Sequence, residues 1–386
     1  MKKIKSLYII TVLLLGCTAQ IKTGDETLTV HLDFTRQPEN IHEIGLIDQV
    51  QILSLDCKEA IFGEVNKIIR YEDHIYLMDK SQTRSVVVYD TSGHFVSLIS
   101  KRGKGPEEYI QLTDIFIDPD DNTLNVVSRI DKKILKYDIT GNRLLEVKKI
   151  SKPFTRFSKM KDGYVGYMGN YGEDRKMPYN IWTMSPDMKL ENHFFDIAET
   201  WESITLGDGS VFSTYNANTN FITPMDYNIY HIEKDQVTVP YTFDLGKTGW
   251  PTEYKDYEQV SKMGNENRYI LRFYNFQETP NHFIVHVLYG GQYLLGVYNK
   301  QSSVSHIARL EPYMDKYFFS FGQIIGFDEY AIYTLVDASE IKKMWNGRDQ
   351  YNDFESEYPE QIKRLREKFP QVHEDGNPFL VMYHIN

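Results

Sequence analysis

Two stretches of the chain repeat one another 48 residues apart: 86–98 reads VVVYDTSGHFVSL and 134–146 reads ILKYDITGNRLLE. In each, an apolar-rich strand ends in Tyr-Asp, a turn with Ser or Thr and then Gly follows, and a second strand leaves. Tyr89, Asp90 and Gly93 thus return as Tyr137, Asp138 and Gly141. A β unit that repeats at this period predicts a propeller blade, because a small sheet cannot bury both its faces alone and must stack on neighbours. This repeat constrains the fold more than any other feature and leaves the chemistry open.

Strand and turn signals continue from residue 27 almost to the end, and no Pro/Gly/Ser linker divides them. The first unit takes Ile68–Asp79, Ser85–Tyr89 and His94–Ile99, and the second runs from Asp114 to Lys148. A third is centred on Gly163–Tyr167 and Asn180–Met184, and a fourth covers 208–245 with Tyr227–Ile232 and Val237–Phe243. The fifth takes Tyr269–Phe273, His282–Leu288, Tyr293–Tyr298 and Val304–Leu310, and the sixth begins with Phe318–Ile325 and Ala331–Val336. The expected fold is all-β: a six-bladed β-propeller of four-stranded antiparallel blades, or a seven-bladed one if 196–265 hides an irregular unit.

The β pattern stops at 339–377. There Tyr358, Ile362, Leu365 and Phe369 recur at spacings of four, three and four, the apolar stripe of an amphipathic helix that Pro370 then ends. This predicts a helical insertion in the last blade, whose sheet Phe379–Ile385 completes. Thr27–Phe34 is expected to join that same blade, bringing the chain ends together and removing exposed sheet edges.

The N-terminus reads as an address. Met1-Lys2-Lys3-Ile4-Lys5 is a basic segment, and Leu7–Leu15 is nearly all apolar but too short to span a ~30 Å hydrocarbon core. Leu14-Leu15-Gly16-Cys17 resembles the lipobox of bacterial lipoproteins, which implies cleavage after residue 16, diacylation of Cys17 and a polar tether over 17–26 before a propeller at 27–386. Several acyl chains on one cysteine anchor firmly, at ~0.8 kcal/mol per buried methylene. With only Cys17 and Cys57 in the chain, the mature protein can form no intrachain disulfide and no thiolate metal cluster. Cys57 is read as a small core residue.

The formal charge of −11, made more acidic by loss of the three leader lysines, repels phosphate backbones and argues against nucleic-acid binding. The 28 Tyr and 21 Phe suit half-buried pleated faces, where a Tyr ring packs while its hydroxyl stays wet.

Residues 99–147 look like an NHL-type propeller repeat, with a Gly-rich lead-in, an aromatic after it, an acidic hairpin turn and Tyr-Asp-x-x-Gly. The mature chain as a whole resembles the 6-bladed β-propeller lipoproteins of Gram-negative bacteria. Three places carry this: Ile61-Phe62-Gly63-Glu64-Val65, Gly103-Lys104-Gly105-Pro106-Glu107-Glu108-Tyr109 and Asn377-Pro378-Phe379-Leu380-Val381-Met382-Tyr383. The resemblance implies a fold and an envelope location and brings no reaction with it.

Arg102, Lys104, Glu107 and Tyr109 are the candidate ligand-binding residues, since cationic side chains and glycine amides could line a rim pocket for an anion. The structural alternative is a tight blade-to-blade crossing in which glycines take positive φ. Asp118, Asp120 and Asn122 have calcium-loop spacing, but Thr123 replaces the turning Gly and no Glu follows at position 12, so a hairpin turn is expected. His282 and His286 would lie ~13 Å apart along a strand, too far to share an ion. There is no G-x-S-x-G, H-E-x-x-H or Walker motif. No metal site, cofactor or catalytic residue is assigned.

Three functions follow as expectations. The first is a lipid-anchored binding or scaffold module outside the cytoplasm, holding a protein partner, oligosaccharide or peptide, and by analogy accessory to outer-membrane nutrient uptake. The second is a metal-dependent hydrolase or lyase with Asp, Glu, His or Asn side chains converging in the central channel. The third is a structural envelope protein whose channel is plugged by apolar side chains.

Overall fold

A computed structural model of the chain describes residues 21–22, 27–56, 60–172, 178–205, 209–254, 256–264, 268–309, 314–315, 318–319, 324–347, 353–374 and 376–386. Cys17 and Cys57, with the leader and most of the tether, lie outside the described residues. Six antiparallel four-stranded blades form a β-propeller. Blades 1 and 2 each take four consecutive strands, Lys67–Tyr71 through Phe95–Ile99 and Leu112–Asp118 through Leu144–Lys149. Blades 3, 4 and 5 likewise run from Arg156–Met160 to Leu190–Asp196, Phe212–Tyr215 to Val237–Asp244, and Asn275–Glu278 to Val304–Arg309. In each, the first strand is innermost.

The repeat that announced the fold is also what joins the blades. Gly93 and Gly141 follow their Tyr-Asp pairs at φ +89° and +71°, a region that Gly enters without penalty. A Cβ on Gly93 would lie 2.3 Å from the Ser54 carbonyl oxygen, and one on Gly141 2.7 Å from Ser97 Oγ. Ser54 belongs to the outermost strand of blade 6 and Ser97 to that of blade 1. Each glycine therefore lets a turn press against the edge of the preceding blade. Asp90 and Asp138 hold these turns by accepting the backbone N–H groups of Ser92 and His94, and of Asn142 and Arg143. The paired Tyr89 and Tyr137 are buried beneath them.

Blade 6 is built from both ends of the chain, but not from the segment expected. Its strands run Ile324–Phe327, Ala331–Val336, Phe379–Ile385 and then Ile47–Ser54, the last pairing antiparallel with 379–385. Leu28–His31 instead lies parallel to the outermost strand of blade 4, and Glu39–Asn40 to that of blade 5. Val30, Leu32 and Phe34 are buried in the apolar layer of blades 4 and 5, which holds the segment there and not on the last blade. Residues 27–54 thus form a strap across three blades.

Among the described residues the insertion in blade 6 holds three helices, α2 (Ala338–Asn346), α3 (Phe354–Glu357) and α4 (Pro359–Lys368). Ile362, Leu365 and Phe369 of the expected stripe pack on Ile341 and Met344 of α2 and on Phe379 and Val381 of the blade. A helix that the sequence reading missed, α1 (Tyr257–Gly264), precedes blade 5. The run Tyr269–Phe273, read as the innermost strand of blade 5, is the approach to that strand. It is apolar because Ile270 is buried and bonded to Thr248, with Tyr269 and Leu271 against the Trp201–Trp250–Val260 cluster. Asn275–Glu278 is the innermost strand.

Candidate functional site

On the face where each outermost strand crosses to the next blade, loops from blades 1 to 4 and the approach to blade 5 enclose a cavity of about 280 Å³ at the propeller mouth. Blade 1 contributes Lys80 and Ser81, blade 2 Gln111, Thr113 and Arg129, and blade 3 Thr155, Arg156, Tyr167 and Tyr171. Ser210, Val211 and Thr223 come from blade 4, and Arg272 and Phe273 from the segment leading into blade 5.

Buried carboxylates at the blade roots set these side chains. Asp79 accepts the N–H groups of Ser81 (3.0 Å), Gln82 (2.8 Å), Gly63 (2.9 Å), Glu64 (3.1 Å) and Thr83 (3.1 Å). Burial alone would raise its carboxyl, but the backbone donors from Gln82, Gly63, Thr83 and Glu64 outweigh it and hold it below the usual range. One ionised side chain thereby ties the Ile61–Val65 motif to the loop that presents Lys80. Asp114 joins three innermost strands: its Oδ1 accepts from Lys67 Nζ at 2.7 Å and its Oδ2 from the Phe157 N–H at 2.8 Å. Arg156, one residue earlier, donates from Nη1 to the carbonyls of Thr155 (2.9 Å) and Thr113 (3.4 Å).

Aromatic rings support the other two guanidinium groups. Arg129 lies 3.7 Å over the Tyr171 ring and Arg272 lies 4.1 Å over Tyr274, arrangements suited to a desolvated cation. Arg272 is only 9% exposed. Tyr167 stands near both Arg156 and Arg272; burial pushes its hydroxyl up to about 12 while the two cations pull it back. It stays a neutral donor at physiological pH. Four cationic side chains and no carboxylate appear among the described lining residues, in a chain whose net charge is −11.

None of the four residues proposed from sequence lines this cavity. Arg102, Lys104 and Glu107 are exposed on the crossing from blade 1 to blade 2. Tyr109 is buried and donates its hydroxyl to the carbonyls of Arg84 (2.6 Å) and Ile99 (3.2 Å). Gly103 and Gly105 do not take positive φ. A Cβ on Gly103 would sit 1.9 Å from the Glu108 carboxylate, which caps the Gly105 N–H at 2.8 Å. Close approach of the Glu108 side chain, not backbone handedness, is what the glycines accommodate. Gln111, two residues beyond Tyr109, is where this crossing reaches the cavity.

The other sequence candidates have structural surroundings. Asp118, Asp120 and Asn122 form the blade 2 hairpin turn, Asn122 at φ +53°. Asp118 pairs with Tyr164, Asp120 with Lys159 and Asp121 with Lys136, around a smaller cavity on the opposite face. His282 and His286 sit on one strand of blade 5, both buried. Among the described residues no three His, Cys, Asp or Glu side chains gather as a metal site would require.

A family model described as a domain of unknown function, DUF4934, matches residues 27–384. The chain belongs to the DUF4934 family. Among solved structures, this DUF4934 chain is similar to a Bacteroides fragilis protein named "Putative exported protein", at 18% identity and TM-score 0.69 over 93% of this chain and 99% of that one. A DUF4221 family member from Bacteroides vulgatus is also similar, at 10% identity and TM-score 0.48 over 88% and 98% of the two chains. No curated protein matches.

Proposed function

We propose that this DUF4934 protein is a lipid-anchored, extracytoplasmic binding module whose ligand enters the propeller mouth. The observation that carries the reading is the cavity itself. Segments far apart in sequence deliver polar and cationic side chains to one concave site, where a purely structural propeller needs only apolar filling. The lipobox-like Leu14–Cys17 and the name of the similar Bacteroides fragilis protein support an extracytoplasmic location. No helix among the described residues is long and apolar enough to cross a membrane, so a lipid on Cys17 would supply the attachment. The metal-dependent hydrolase or lyase stays the second reading, and it calls for converging ligands that the described residues do not supply.

Two fillers test the site. Ser81→Trp and Ser210→Trp place an indole in the mouth from exposed positions in blades 1 and 4. On arrays of glycans and peptides, the detergent-solubilised full chain should retain ligands that both fillers lose. Ligands bound equally well by the fillers would move the site elsewhere. Cys17→Ser should shift the protein from the membrane to the soluble fraction, and continued membrane association would remove the lipid anchor from the account.

A further inference from the structure

The charge and hydrogen-bonding state of the mouth together select a ligand class. Resting on the binding reading above, we propose that the cavity holds an acidic sugar residue: a carboxylate or sulfate carried on a polyhydroxylated ring, at the end or in the run of an anionic glycan.

The anionic part follows from the cations. Lys80, Arg129, Arg156 and Arg272 reach the cavity from four different places in the fold. Of the buried carboxylates beside the lining, Asp114 is paired with Lys67 and Asp79 is held by backbone N–H groups. Guanidinium forks match planar oxyanions with two parallel N–H donors, and the stacking of Arg129 on Tyr171 presets one fork.

The hydroxylated part follows from hydroxyls whose protons are already committed. Thr155 Oγ1 donates to the Tyr167 carbonyl at 3.1 Å, Ser81 Oγ to Asn66 Oδ1 at 3.1 Å and Ser210 Oγ to the Phe212 carbonyl at 2.8 Å. Each then has only lone pairs left to offer, and lone pairs need donors on the ligand. Inorganic sulfate or a bare carboxylate carries none. A sugar ring carries several. The volume of about 280 Å³ suits one ring with its chain running out through the open mouth.

Isothermal titration of the detergent-solubilised full chain tests this with four probes: trigalacturonate, its methyl ester, inorganic sulfate and a tri-glutamate peptide. Trigalacturonate should bind, with affinity falling as salt rises. The ester, which keeps the ring and loses the charge, should bind about ten- to a hundredfold more weakly, the worth of a charge-assisted hydrogen bond. Arg129→Met should lose a similar factor while keeping the wild-type melting temperature, and Arg129→Lys should recover part of it. If Arg129→Met fails to fold, Lys80→Met in the neighbouring blade takes its place. Equal binding of acid and ester overturns the anionic part, and loss of both in the Ser81→Trp filler would still leave the mouth as the site. Sulfate binding as tightly as trigalacturonate overturns the hydroxylated part. Binding of tri-glutamate in preference to trigalacturonate, or of none of the four, overturns the ligand class, while the fillers continue to judge the mouth independently.

Discussion

Replacing Asp114 with Ala should loosen the joint between blades 1, 2 and 3, and the cost follows from three bonds. Asp114 is 1% exposed; it accepts from Lys67 Nζ (2.7 Å), its own neighbour Ile115 N–H (3.0 Å) and Phe157 N–H (2.8 Å). Removing one partner of a buried pair costs about 3–5 kcal/mol. The lower end, about 3 kcal/mol, applies to Asp114→Ala, because Lys67 is 28% exposed and keeps the Ile115 carbonyl at 2.8 Å. Lys67→Met strands a carboxylate that water cannot reach, and should cost at least as much. In the double variant neither charge is left behind, so its cost should fall short of the sum by about 1 kcal/mol or more. Urea unfolding, with slopes compared across the four proteins, gives the cycle, and hydrogen exchange at the Phe157 amide reports the local loss. A cost below about 1 kcal/mol for Asp114→Ala, or strict additivity in the double variant, would refute the reasoning.

Three further outcomes are expected. Asn377→Ala removes donors to the carbonyls of Asp56 (2.9 Å) and Ala60 (2.8 Å) that tie the approach to the last strand to the segment following the strap, and should cost about 1–3 kcal/mol by urea unfolding; an unchanged midpoint would make that tie irrelevant. Gly93→Ala should destabilise more than Gly141→Ala, since its new methyl meets a backbone carbonyl and not a serine hydroxyl that can turn away; the reverse order would contradict the packing described. Burial, with Arg272 adding to it, lowers His286 to about 4, so the folded state keeps the imidazole neutral while the unfolded chain protonates near 6.5. Stability should therefore decline as pH falls from about 6.5 towards 4, by roughly 3 kcal/mol from this residue. His286→Phe should flatten that part of the pH profile, and an unaltered slope would assign it to other groups.

The fold was legible where local turn chemistry carries it. Tyr89-Asp90-x-x-Gly93 and its copy at 137–141 need both an Asp to cap the turn and a Gly at positive φ, and both leave a mark in sequence. Blade 3 makes the corresponding turn with Met188 at φ +61°, and blade 4 turns through Glu233 and Gln236, so neither shows the motif. The strap was misread because its partners are remote: Leu28 pairs with Tyr241, and nothing near either residue records it. The mouth was hidden for the same reason. Arg129, Arg156 and Arg272 each stand alone in sequence, and only the closure of the ring brings them to one cavity. The crossing at 102–109 drew attention through its glycines, which serve Glu108, while Gln111 beyond it passed unmarked.

Hydrogen exchange of the full chain with and without trigalacturonate tests the central claim most directly, because it reports where a ligand sits without presupposing the residues that hold it. Protection confined to 80–81, 111–113, 155–156, 167–171, 209–211, 222–224 and 272–274 is the predicted result. Protection centred on the helical insertion at 338–368 or on the opposite face around 118–121, with the mouth unchanged, would contradict the account.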